Sequence, residues 1–158
     1  MDRHTISVLT NDHPGVLQRV ANLFSRRGYN IESLTVGGCE IENLSRMTIV
    51  AAGNRQMRDQ LILQLNKLID VIQVTPLDAA PKLSRELMLL KLRATPAQRQ
   101  EIISIAETFH CTIADVGMEA LIVQVVGKTA QNNALLQLLK PYGVLELTRT
   151  GETAMSRP

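Results

Sequence analysis

Ile6, Val8 and Leu9 form a short apolar run that predicts a strand, and Asn11, Asp12, His13, Pro14 and Gly15 are the turn residues that end it. Val16, Leu17, Val20, Leu23 and Phe24 then recur at helical spacing. Asp12 or Asn11 is placed to cap this helix, and Pro14 suits its first turn. Arg26 and Arg27 complement the dipole of its last turn, and Gly28 is the expected C-terminal stop. Residues 29–36 and 44–52 read as strands separated by a loop at 37–43. Met57, Leu61, Leu65 and Leu68 mark a second helix with Asn54 as its cap, and residues 71–74 a fourth strand.

The second half repeats this order without repeating the residues. Residues 86–93 predict a strand, and Thr95-Pro96-Ala97-Gln98 a capping box with proline at the first helical position. Ile102, Ile105, Ala106 and Phe109 form a helical stripe, and residues 112–116 and 121–126 two strands. Ala134, Leu135, Leu138 and Leu139 give a last helix stopped by Gly143, before a strand at 144–148. Each half thus reads β-α-β-β-α-β, an α+β class with two ferredoxin-like units. Right-handed crossovers give the sheet order 4-1-3-2, leaving strands 2 and 4 as edges. The proline-bearing stretch Thr75-Pro76-Leu77-Asp78-Ala79-Ala80-Pro81-Lys82 interrupts the apolar pattern, so the expected division is 1–77, a linker at 78–83, and 84–158. Units of this size bury little surface, so docking or dimerisation through an edge is expected.

Composition narrows the functional classes. Of 158 residues 45% are hydrophobic, enough for packed cores, and 17 Lys+Arg against 15 Asp+Glu leave a net charge of only +2. That balance argues against a protein held to nucleic acid or anionic membrane by charge. No apolar run approaches membrane-span length, and the start, Met1-Asp2-Arg3-His4, lacks an apolar signal segment. Cys39 and Cys111 make neither a disulfide framework nor a CxxC pair, and a cytoplasmic protein is expected.

Catalytic patterns are scarce. The sequence has no GxGxxG following a strand, no Walker A, no GxSxG and no HExxH, and His4, His13 and His110 are scattered. No metal site and no catalytic residue is expected. An RNA-binding or assembly module of the same fold is the alternative. RNA-recognition motifs stack bases on aromatics of their two central strands, yet Phe24, Tyr29, Phe109 and Tyr142 all fall on helices or at strand starts.

Two stretches are more specific than packing requires. The loop Asp12-His13-Pro14-Gly15 leads into a helix whose first turn has free N–H groups and partial positive charge, a seat for a carboxylate, and Gly15 leaves the approach open. The second stretch is Tyr29-Asn30-Ile31-Glu32-Ser33-Leu34, the beginning of an edge strand. Two such edges paired antiparallel would carry each Asn30, an amide donor and acceptor, towards the partner's loop. A small amino acid at a two-fold interface suits that arrangement. Singly, Arg46, Glu32 and His13 have adequate structural readings as surface or loop residues.

The segments Pro14–Leu17, Leu23–Leu34, Leu44–Thr48, Gln64–Val71 and Arg85–Leu89 resemble the small regulatory subunit of acetolactate (acetohydroxyacid) synthase, over nearly the whole chain. The resemblance implies an N-terminal ACT domain that binds valine at a homodimer interface, and a C-terminal ferredoxin-like domain. It implies a non-catalytic subunit that activates a large catalytic partner holding thiamine diphosphate, FAD and magnesium, and that confers feedback inhibition in branched-chain amino acid biosynthesis. The effector-binding residues it implies are Asp12, Pro14, Gly15, Val16, Leu17, Asn30 and Ile31, with Val16, Leu17 and Ile31 lining the apolar part. Two positions depart from the family pattern. Asp12 stands where the family usually has Asn, so its carboxylate is expected to turn to the ligand ammonium or to cap the helix, and loop 37–43 lacks the usual acidic, proline-containing sequence.

Overall fold

A computed structural model describes residues 2–158. In chain order the elements are β1 (Asp2–Asn11), α1 (Val16–Arg27), β2 (Ile31–Gly38), β3 (Leu44–Gly53), α2 (Arg55–Asn66), β4 (Val71–Pro76), β5 (Lys82–Arg93), α3 (Pro96–Thr108), β6 (Thr112–Val116), β7 (Ala120–Gly127), α4 (Thr129–Leu139), β8 (Val144–Arg149) and β9 (Thr153–Ser156). The chain forms two compact units, one running to Ser84 and including Glu152–Pro158, the other Arg85–Gly151.

In the first unit the sheet order is β2-β3-β1-β4, all pairs antiparallel, as the crossover rule requires. Ile6 and Val8 of β1 and Met47, Ile49 and Ala51 of β3 face one way and pack against Val16, Val20 and Phe24 of α1 and Leu61 and Leu65 of α2. Helix α1 ends as expected. Gly28 adopts the left-handed conformation (φ 66°), its N–H bonds the Ser25 carbonyl and that of Tyr29 the Phe24 carbonyl, a Schellman closure. Asn54 caps α2, its side chain accepting from the Met57 N–H at 2.8 Å.

The second unit has the sheet order β6-β7-β5-β8. Met88, Leu90 and Leu92 of β5 and Leu121 and Val123 of β7 are buried against Ile102 and Ala106 of α3 and Leu135 and Leu139 of α4.

Four local expectations are corrected. Neither Asp12 nor Asn11 caps α1: β1 runs on through Asn11, Asp12 N–H bonds the Asn43 carbonyl (2.9 Å), and left-handed Gly15 intervenes before the helix starts at Val16 with no side-chain cap. The Thr95–Gln98 box is incomplete, because Thr95 Oγ1 donates to Gln98 Oε1 (3.3 Å) instead of accepting from the backbone, although Pro96 does open α3. The end of the chain does not stay with the second unit. Glu152–Pro158 belongs to the first, where β9 pairs with the beginning of β5 and Arg157 N–H bonds the Pro81 carbonyl. The stretch expected as a linker is likewise tied down, with Asp78 accepting from the Thr5 N–H at 3.1 Å and β5 starting already at Lys82.

Candidate functional site

The turn from β1 into α1 is built around the left-handed conformation of Gly15 (φ 92°). This bend separates strand from helix and leaves the first turn of α1 without a side-chain cap or an acidic residue. Val16 N–H makes only a long bond to the His13 carbonyl (3.4 Å). Uncapped amides at a helix start carry partial positive charge and suit a carboxylate. Asp12 and Pro14 are exposed, and Leu17 is 47% exposed, as a ligand contact requires. Val16, in contrast, is buried in the core, so what it can offer a ligand is its backbone.

One carboxylate organises this turn. Asp70, buried between α2 and β4, pairs with the Arg19 guanidinium, lies 2.7 Å from His13 Nε2, and accepts a hydrogen bond from the Asn11 side chain. His13 Nδ1 also lies 3.2 Å from the Pro14 carbonyl, and Asn11 N–H bonds the Asp70 carbonyl at 2.9 Å. Burial raises the Asp70 carboxyl, but the hydrogen bonds from Arg19 and Asn11 and the charges of Arg19 and His13 hold it below its ordinary range.

Asn30 and Ile31 lie elsewhere in the unit. Ile31 is opposite Ala51, itself opposite His4 near the start of β1, whereas the loop leaves β1 after Asn11. At a rise of about 3.3 Å per residue the two places are roughly 23 Å apart. A single chain therefore does not bring the expected residues together: it holds the glycine loop at one end of the sheet and Asn30, exposed on the edge-strand side, at the other.

The sheet face away from the helices carries a cavity of about 730 Å³, lined by Ser7, Leu9, Arg46, Thr48, Gln73 and Met155 among others. Arg46 is engaged there by Glu40 through two bonds of 2.8 and 2.9 Å, which keep the Glu40 carboxyl below its ordinary range. Beside it, Ala154 N–H donates to Thr48 Oγ1 (3.3 Å), and Lys82 Nζ donates to Thr5 Oγ1 (2.6 Å) and Asp78 (3.1 Å).

Asp70 and Arg19 escape a reading of the sequence. A lone Asp between a helix and a strand resembles any polar turn residue, and Arg19 falls on the solvated stripe of α1. The apolar recurrence Leu61-Leu65-Leu68 followed by strand 71–74 was the available signal, because it seats residue 70 beside the end of β1.

The two halves each match a family model: residues 6–73 match the "AHAS small subunit-like ACT domain" and residues 85–158 the "Small subunit of acetolactate synthase". The chain is 49% identical over 157 residues to a "Probable acetolactate synthase small subunit" of Methanothermobacter thermautotrophicus, covering 99% of this chain and 94% of that one. It is 47% identical to the acetolactate synthase small subunit of Mycobacterium leprae, covering 98% and 91%. The crystal structure of the acetolactate synthase small subunit from Thermotoga maritima superimposes with a TM-score of 0.93 at 40% identity, covering 99% and 98% of the two chains.

Proposed function

This chain belongs to the family of acetolactate synthase small subunits, and from that premise we propose that it senses a branched-chain amino acid, valine, at an interface between two copies of itself. As a non-catalytic regulatory subunit in branched-chain amino acid biosynthesis, it passes that signal to the large catalytic subunit, which holds thiamine diphosphate, FAD and magnesium. Unpaired Cys39 and Cys111 are compatible with work in the cytoplasm.

The observation that carries the reading is the separation of the glycine loop from Asn30 along an unprotected edge strand. In an antiparallel β2–β2′ pair, the Ile31 end of one strand meets the Gly38 end of the other. Gly38 is level with Ser45 and hence with Thr10, one residue short of where the loop leaves β1. Each Asn30 then approaches the partner's loop, and two equivalent sites arise by symmetry. The effector carboxylate takes the α1 amides and the Gly15 approach, the Asn30 amide reads the remaining polar group, and Leu17 and Ile31 supply apolar contact. Asp12, which caps nothing, is available to the ligand ammonium. Millimolar sensing needs about 4 kcal/mol, within reach of a few charge-assisted bonds. Coupling to the partner enzyme needs about 1–3 kcal/mol of difference between two interface arrangements.

Sedimentation of the purified chain and calorimetric titration with L-valine test the reading together. A dimer that binds L-valine, and an Asn30→Ala variant that binds it more weakly, are expected. A monomer that gives no heat with L-valine, L-leucine or L-isoleucine overturns it.

A further inference from the structure

Resting on the effector reading above, we infer that Asp70 is the positioning residue of the glycine loop: through Arg19 and His13 it fixes the turn that presents the α1 amides to the effector. Asp70 itself lies outside the loop, at the connection from α2 into β4, and is 6% exposed. Its contacts come from three places: the end of β1 (Asn11), the loop (His13) and the second turn of α1 (Arg19). The turn has few other anchors. Gly15 is conformationally permissive, α1 has no side-chain cap, and the backbone bonds Asp12 N–H to Asn43 and Arg19 N–H to Gly15 hold only its two ends. A buried carboxylate bonded on both oxygens is stiff, because moving either partner leaves a charge unpaired in a poorly solvated place.

Charge reinforces the point. An effector carboxylate at the start of α1 would be repelled by an unneutralised Asp70, but the Arg19 guanidinium cancels that charge on the side facing the loop. Arg19 is at the same time fixed beside the seat: while paired with Asp70, its Nη2 lies 3.9 Å from where a β-carbon on Gly15 would stand. Asp70 thus positions the loop and fixes the Arg19 guanidinium at its border.

The test uses the full chain with Asp70→Asn, Asp70→Glu and, as a stability control, Glu86→Gln, whose carboxylate is buried in the other unit. Two readouts are taken: calorimetric affinity for L-valine, and hydrogen exchange of the backbone amides of His13 and residues 15–18 without ligand. Asp70→Asn is expected to weaken L-valine binding about tenfold and to speed loop exchange, Asp70→Glu to restore most of both, and Glu86→Gln to change neither. Unchanged loop exchange in Asp70→Asn, equal or tighter L-valine binding by it, or the same loop response in Glu86→Gln overturns the inference. A wild-type chain that ignores L-valine defeats the effector reading alone, and loop exchange still decides the role of Asp70.

Discussion

Gly15 and Arg19 are joined twice: the Arg19 N–H donates to the Gly15 carbonyl at 3.1 Å, and the Arg19 guanidinium lies where a β-carbon on Gly15 would meet it at 3.9 Å. That second distance is ordinary contact, so space does not forbid a side chain at residue 15; the positive φ does. Gly15→Ala is therefore expected to cost about 1–2 kcal/mol, and Gly15→Asn less, since asparagine tolerates the left-handed region. Urea unfolding of both variants measures the difference. Equal costs would show that crowding, not backbone conformation, selects glycine here.

Gly15→Asp separates strain from blockage. Aspartate also tolerates the left-handed region, but its carboxylate would occupy the amides proposed for the effector. L-valine inhibition of the reconstituted enzyme is expected to disappear, with a smaller loss of stability than in Gly15→Ala. An inhibition curve like that of the wild type would remove the loop from the effector seat.

The architecture was legible because it is written in short-range terms. Apolar periods of two and 3.6 located eight strands and four helices, and Gly28 and Asn54 marked helix ends by chemistry that operates within one turn. What was not legible depends on distant partners. β9 is four residues without an apolar alternation and exists because the chain returns to the beginning of β5. Asn11 looks like a helix cap until the continuation of β1 claims it for the sheet and Asp70 claims its side chain. Gly15 and Asn30 could be picked out as candidates, but the fold sets them at opposite ends of the sheet, and Asp70 reaches the Gly15 loop only through long-range contacts. Val16 shows the limit of a contiguous motif: helical rotation turns it into the core while its neighbour Leu17 stays at the surface.

Acid should loosen the first unit through Asp70. Its carboxyl is held below the ordinary value of 3.8, so the folded state binds this proton less readily than the unfolded chain does. The stabilisation is therefore complete above about pH 4–5 and is lost as pH falls through the folded-state value. Urea midpoints of wild type at pH 6 and pH 3 should differ more than those of Asp70→Asn. Parallel losses in the two proteins would assign the acid sensitivity to other carboxylates.

Removing residues 152–158 should destabilise the first unit, not the second. Thr35 Oγ1 donates to the Glu152 carbonyl (3.0 Å), Thr5 Oγ1 contacts the Glu152 carboxylate (3.4 Å), and Ala154 N–H meets Thr48 Oγ1. Thr5 and Thr48 are both 3% exposed, and each loses a partner on truncation. Thr5 Oγ1 keeps its bond from Lys82, so at about 1–3 kcal/mol for the Thr48 hydroxyl left unsatisfied, a loss of roughly 1–3 kcal/mol is expected. Hydrogen exchange should quicken at amides of β1 and β3 and stay unchanged in β7. A change confined to β7 would contradict the placement of the tail.

Glu86 offers the sharpest energetic test in the second unit. Only 3% exposed, it pairs with Arg149 through one carboxylate oxygen and accepts from Thr129 Oγ1 at 3.0 Å through the other, while its carbonyl accepts from the fully buried Asn132 side chain at 3.2 Å. Arg149 also donates to Asn133 Oδ1 at 2.8 Å, so the pair links β5, β8 and the first turns of α4. Taking two charges partly out of water costs nearly as much as their attraction returns, whereas leaving one of them alone does not break even. Glu86→Met or Arg149→Met alone should therefore cost about 2–3 kcal/mol. The double variant should cost less than either single change, since neither charge is then stranded and the added apolar surface packs near Met88. Urea unfolding of the four proteins gives the coupling free energy directly. Additive losses would mean that the two side chains act independently, and that α4 is held by its leucines alone.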